Sequence, residues 1–266
     1  MVRRIKWWPD GILLDGQRVQ TDARPQVGQL LSVRLDDLER RSGIVPAPGP
    51  LDLVYEDEDL IVVNKAPGVP VHPGPGHYND TLGNFLLWHY DLEGDSADFH
   101  PVHRLDRGTS GLLVAAKHPH AQEILKRQLH TEGFRRTYLA VCEGRPEPPS
   151  GLISAPLGPK DGSLVKQMVR PDGKPARTRY RVLSAHSGRS LLRLELDTGR
   201  THQIRVHMAY LGHPLTGDFL YGREDRTLIS RPALHSAELS FLHPLTGRLL
   251  SFSRPMPGDM AALLSD

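Results

Sequence analysis

Residues 111–116, Gly-Leu-Leu-Val-Ala-Ala, form an unbroken apolar run of strand length, with no polar residue to mark a solvent face. The run predicts a buried central strand. Immediately before it, His103-Arg104-Leu105-Asp106-Arg107-Gly108-Thr109-Ser110 sets one carboxylate among cations. Asp106 therefore falls at the end of an element, where a rigid strand holds a side chain that remains open to a ligand.

The clearest boundary in the chain is residues 42–50, where three prolines and two glycines deny the backbone both helix and ladder hydrogen bonds. Residues 1–41 read as a small N-terminal module, 42–50 as a linker and 51–266 as the main domain. In the first part, Gly11-Ile12-Leu13-Leu14 and Arg18-Val19 flank Asp15-Gly16, a pair suited to the positive φ angles of a hairpin turn. Residues 30–33 suggest another short strand. After the linker, 51–56 and 60–64 read as strands around the acidic turn 57–59. A helix begins after Thr81, a candidate N-cap, with Leu82, Phe85 and Leu86 at helical spacing. A second helix spans 119–132 on Ala121, Ile124, Leu125 and Leu129, with Gly133 as its expected left-handed stop.

In the second half, Thr178, Tyr180 and Val182 alternate with Arg177, Arg179 and Arg181, and Leu192, Leu194 and Leu196 with Arg193, Glu195 and Asp197. Two half-buried strands joined near Ser187-Gly188 follow. A helix over 202–211 is expected to turn Ile204, Met208 and Leu211 inward, and late strands occupy 234–242 and 249–253. The fold class is mixed α/β (α+β), with a central, largely antiparallel sheet, flanking helices and a small N-terminal β-rich appendage.

Charge says little in total, 33 basic against 31 acidic residues, but it is uneven. Between 160 and 181, Lys160, Lys166, Arg170, Lys174, Arg177, Arg179 and Arg181 face only Asp161 and Asp172. Such a strip either tracks a phosphate backbone, with salt-sensitive binding, or serves solubility. The single Cys142 excludes an internal disulfide and fits a reducing cytoplasm. No run approaches the ~20 apolar residues of a membrane span, so no membrane partner is expected, and monomer is the default state.

A second motif, Thr198-Gly199-Arg200-Thr201-His202-Gln203-Ile204-Arg205-Val206-His207, follows the first by about ninety residues. With Asn64-Lys65, Val71-His72-Pro73, Arg136-Thr137-Tyr138-Leu139-Ala140, Gly212-His213-Pro214-Leu215-Thr216-Gly217-Asp218 and Leu234-His235-Ser236-Ala237, the chain resembles the RluA-type pseudouridine synthases from about Leu53 to Pro257. It departs from the family after Asn64-Lys65, where Ala66 stands in the place of the usual proline and Pro67 follows. The resemblance implies isomerisation of uridine in structured RNA, ribosomal or transfer, on a mixed sheet with an RNA cleft across one face. It also likens residues 1–41 to a truncated ribosomal-protein-type RNA-binding module, of whose basic helical face Arg3, Arg4 and Lys6 remain.

The implied reaction breaks the bond from uracil N1 to sugar C1′, turns the base and joins C5 to C1′. No atom is gained or lost, so no cofactor or metal is expected, in keeping with the absence of a dinucleotide fingerprint, P-loop or zinc spacing. The resemblance makes Asp106 the essential aspartate, acting either as a nucleophile toward C1′ or the uracil ring, or as a base toward a sugar proton so that a glycal forms. Arg205 matches the family arginine, expected to fork onto Asp106. Tyr138 matches the tyrosine that stacks on the base, and Leu234 an apolar wall of the uracil pocket. Arg104 is placed to refill the stack left by a flipped nucleotide. Arg200, His202 and Gln203 either contact phosphate or the catalytic loop, or serve cap and loop packing.

Other chemistries fit poorly. Gly108-Thr109-Ser110-Gly111-Leu112 fails the spacing of a serine-hydrolase elbow at both glycines. His202 and His207, five residues apart, face different sides of a helix, and no His-Glu-x-x-His occurs. The strongest rival is a non-catalytic RNA-binding protein on the same scaffold, distinguished by loss of Asp106, Tyr138 and Arg205; all three are present.

Overall fold

The computed structural model describes residues 5–35, 39–129 and 131–265. Arg3 and Arg4 lie outside the described residues. Among the described residues, β1 (Ile12–Leu14), β2 (Gln17–Arg18) and β3 (Leu31–Val33) form a small antiparallel sheet in the order β2-β1-β3. Its hairpin turn uses the expected pair, Asp15 at φ 49° and Gly16 at φ 79°.

The main sheet takes up β4 (Leu53–Glu56), β5 (Leu60–Lys65), β6 (His100–Pro101), β7 (Ser110–Ala116), β8 (Phe134–Glu143), β9 (Ser150–Ser154), β12 (Arg177–His186), β13 (Arg189–Leu196), β14 (Leu234–Leu242) and β15 (Leu249–Ser253). Its main path runs β4-β5-β7-β14-β8-β13-β12-β9, with β15 on β14 and β6 on β7. Among the described residues, only β14 and β7 pair parallel. A separate hairpin joins β10 (Leu157–Pro159) and β11 (Gln167–Val169).

Strand β7 is buried at every residue because both of its faces are covered. Leu113 and Ala115 join one core with α1 (Leu82–Leu92) and with Ile204 and Met208 of α3 (Gln203–Tyr210). Leu112, Val114 and Ala116 join another with Ala121 and Leu125 of α2 (Pro119–Gln128). A strand two-sided in this way cannot alternate, hence the uninterrupted apolar sequence. Its first glycine is required: Gly111 has φ 108°, and a Cβ there would lie 2.3 Å from the Ser236 carbonyl oxygen on β14.

Helix α1 starts at the expected cap, with Thr81 Oγ1 accepting from the Asn84 N–H and Asn84 Oδ1 accepting from the Thr81 N–H. Helix α2 ends earlier than its pattern predicts. It stops at Gln128, and the chain turns through Thr131, whose N–H donates to the Gln128 carbonyl, so Gly133 is not a left-handed stop. In α3, Ile204 and Met208 face inward as expected, whereas Leu211, just past the helix, is 36% exposed. A short helix α4 (Gly258–Ala261) and a 3-10 turn (Ala262–Leu264) close the fold. Among the described residues no helix is long and apolar enough to cross a membrane.

Candidate active site

The loop between β6 and β7 carries Asp106 and is pinned from two sides. The Asp106 carbonyl accepts from the Thr109 N–H, and the Arg107 carbonyl accepts from the Gly68 N–H and, at 3.3 Å, from Lys65 Nζ. Opposite, Arg231 Nη1 donates to the Gly108 carbonyl, while its Nε and Nη2 grip the Asp259 carboxylate. Lys65 also donates to the carbonyls of Ala66 and Val69, which fixes the loop path where Ala66 replaces proline. Burial pushes its ammonium down to about 7, against the opposing pull of Asp106.

The Asp106 side chain is 18% exposed at the end of β7, facing Arg205 from α3. Arg205 does not fork onto it as expected. The bidentate pair is with Asp218, Nε to Oδ2 at 2.7 Å and Nη2 to Oδ1 at 2.8 Å, both residues fully or almost fully buried. Only Nη1 reaches Asp106, at 3.4 Å. Asp218 thus anchors the guanidinium and spares the Asp106 carboxylate for other partners. Arg205 is further packed against the Tyr221 and Phe219 rings, at 5.1 Å and 5.9 Å to their centroids.

His202 enters α3 in the left-handed region, φ 56°, a conformation that costs a non-glycine residue and collects at functional sites. Its Nδ1 bonds the Tyr221 hydroxyl at 2.8 Å, and its Nε2 faces Asp106 at 3.9 Å. Burial lowers its pKa, with Asp106 opposing. Gln203 is buried and internally occupied: its amide bonds Thr198, Thr178 and the backbone of Arg200 and Arg177. It therefore packs the loop and is not free for phosphate. His207, on the far side of the helix from the cleft, bonds Thr178 and the Ala155 carbonyl.

Tyr138 comes from β8. Burial drives its hydroxyl above the ordinary phenol value, Arg136 pulls it down and Asp106 pushes it up, so it remains a neutral phenol at physiological pH. These groups line one cleft of about 240 Å³, to which Asp106, Tyr138, Arg205, Arg104, Arg200, His202, Gln203 and Leu234 all contribute. Arg104 is exposed at its edge, and Arg200 donates from Nε to the Pro175 carbonyl. Two larger hollows adjoin: one of about 560 Å³ shares Asp106, Arg104, His202 and Arg205, and one of about 520 Å³ shares Arg200 with the β10–β11 hairpin. This is a groove with a carboxylate where two hollows meet.

Residues 59–210 match the sequence family described as RNA pseudouridylate synthase. The chain belongs to that family. It is 41% identical over 98% of its length to the uncharacterized RNA pseudouridine synthase YjbO of Bacillus subtilis, covering 92% of that protein. It is 41% identical over 98% of its length to the ribosomal large subunit pseudouridine synthase D of Vibrio parahaemolyticus, covering 84% of it. Among solved structures, human RNA pseudouridylate synthase domain containing 1 superposes with a TM-score of 0.64 at 28% identity, over 78% of this chain and 85% of that one. The protein is accordingly an RNA pseudouridine synthase, an isomerase acting on uridine in RNA, with a mixed α/β fold built on a large sheet.

Several residues of this synthase site carried no role in the sequence reading. Lys65, Arg136 and Asp218 were visible only as members of matching blocks, since their partners lie elsewhere in the fold. Arg231 stood outside every block. The basic strip is also less free than its composition implies, because Arg170 pairs with Asp161 and Asp172, and Arg177 and Arg179 pair with Asp197. Asp57, Asp59 and His243 gather ligand-capable atoms within 4.8 Å, but none of the three lines the cleft.

Proposed function

We propose that Asp106 is the catalytic carboxylate of this synthase and that its substrate is ribosomal or transfer RNA. The observation that carries the reading is the position of Asp106 at the meeting of two hollows, held by a pinned loop and faced by an arginine that another acid already anchors. Either attack on C1′ or removal of a sugar proton requires a carboxylate that reaches the substrate, and Asp106 presents one to the cleft. Arg205 orients it. Tyr138 stacks on the base, a contact worth roughly 1–3 kcal/mol, and Leu234 walls the uracil pocket. Arg104 refills the stack vacated by the flipped nucleotide, offsetting part of an unstacking cost of about a few kcal/mol. Arg200 and His202 meet the backbone beside the target, and Gln203 holds their loop.

The relatives named for the large ribosomal subunit favour its RNA over transfer RNA. Residues 1–41 act as a small RNA-binding or covering module, 42–50 as a linker and 51–266 as the catalytic domain. The protein works as a cytoplasmic monomer. Unmodified transcripts of large-subunit ribosomal RNA and of transfer RNAs, incubated with the protein and digested to nucleosides, test the substrate assignment. Pseudouridine in the ribosomal pool is the expected result; pseudouridine confined to transfer RNA would reverse the preference, and none in either pool would refute both substrate classes.

A further inference from the structure

Arg136 lies two residues before Tyr138 on β8, on the same face, and lines the cleft. It is 6% exposed, and its Nε and Nη2 are sealed from solvent with no hydrogen-bond acceptor among the described residues. The third nitrogen, Nη1, packs close to Gly199, 3.2 Å from where a Cβ on that glycine would stand. The Phe134 ring, 5.8 Å from the guanidinium carbon, offers only its face. A guanidinium cannot shed its charge by deprotonation, so a buried cation without an acceptor is costly unless an anion arrives to share the site. Neighbouring His103, half-buried with its Nδ1 sealed from solvent and unpartnered among the described residues, is pushed down to about 3 by burial and by Arg136, and adds no second charge.

The reaction generates such an anion. Whether Asp106 bonds to C1′ or takes the C2′ proton while the C1′–C2′ double bond forms, the N1–C1′ bond breaks and its electron pair leaves with the uracil. The ring then carries a negative charge spread over N1 and its carbonyl oxygens until C5 attacks C1′, releasing the Asp106 carboxylate or, from the glycal, with a proton returned to C2′; the C5 proton then departs and N1 takes one up. We propose that Arg136 stabilises this uracil anion, acting as the electrostatic catalyst of bond cleavage. Depth favours the base over a phosphate. Arg136 is sunk beside the tyrosine, whereas Arg200, assigned above to the backbone, is only half-buried, and preorganised charge at a developing anion outweighs the same charge in water.

This inference rests on the synthase reaction assigned above. Its test uses full-length wild type, Arg136→Met and Arg136→Lys on an RNA the wild type modifies, with enzyme in excess. Arg136→Met is expected to bind RNA within about twofold of wild type with an unchanged salt slope, and to lose about 100-fold or more in single-turnover rate. Arg136→Lys, keeping the charge, is expected to fall between. On RNA bearing 5-fluorouridine, a better leaving group, the deficit of Arg136→Met in N1–C1′ cleavage is expected to narrow at least about tenfold, as preorganised electrostatic stabilisation matters less there. A deficit unchanged by fluorine would mean that Arg136 only positions its neighbours and would overturn the proposal. So would weakened binding with a shallower salt slope and a normal saturated rate, the signature of a phosphate contact. If Arg136→Met fails to fold, Arg136→Lys carries the same comparison. Failure of the synthase assignment itself is seen separately, as absence of turnover by wild type.

Discussion

Asp218→Asn isolates the ion pair on which the site is built. Asp218 is fully buried and Arg205 is 4% exposed, so the substitution leaves a buried guanidinium facing a neutral amide. Breaking one side of a buried pair typically costs 3–5 kcal/mol; here the asparagine oxygen keeps one hydrogen bond and Asp106 still reaches Nη1, which places the loss at about 3 kcal/mol. For a chain of this size that corresponds to a fall in Tm of about 6–12 °C. Urea denaturation read by far-UV circular dichroism, with the denaturant slope checked to be constant, measures it. The freed guanidinium is also drawn onto Asp106, so turnover should fall more than RNA binding. A loss under about 1 kcal/mol would refute the claim that Asp218 carries the charge of Arg205.

Lys65→Met tests the buried ammonium beneath the loop that carries Asp106. With the folded-state pKa near 7, below the unfolded value, the unfolded chain holds more protons between about pH 7 and 10.4, so wild-type stability gains from this group as pH rises through that window and loses it as pH falls. Denaturation curves of Lys65→Met across that range should lack the rise; an identical slope in both proteins would remove Lys65 from the linkage. Gly111→Ala should fail to fold, or lose about 4 kcal/mol or more, because φ 108° and the Ser236 carbonyl both exclude a side chain; a soluble, normally melting variant would contradict the β7–β14 packing. Tyr138→Phe should keep RNA affinity through its ring and lose turnover only if the hydroxyl helps remove the C5 proton, which parallel binding and rate measurements separate.

The sheet was largely legible in sequence because its constraints are local. The apolar run of β7, the period-two alternation of β12 and β13, and the Asp15-Gly16 and Ser187-Gly188 turns each follow from one stretch of chain. Where an element end depends on contacts, the reading slipped: α2 stops at Gln128 through a turn about Thr131 that no periodicity signals. In the site, the eight residues given roles by resemblance all line one cleft. Their pairings were not readable. Arg205 has two acids within reach, and only the fold shows that Asp218 takes the fork and Asp106 the single contact. Arg136 and Lys65 matter because of what surrounds them, an emptiness of acceptors in one case and a ring of carbonyls in the other, and neither is written in spacing.

The central claim is that Asp106 drives the isomerisation. RNA carrying tritium at uridine C5, incubated under single-turnover conditions with wild type and with Asp106→Asn, tests it directly, since joining C5 to C1′ must release that hydrogen to water. Release by wild type and none above background by Asp106→Asn, with RNA affinity and melting behaviour preserved, is the expected result. Release by Asp106→Asn at a rate near that of wild type would contradict it.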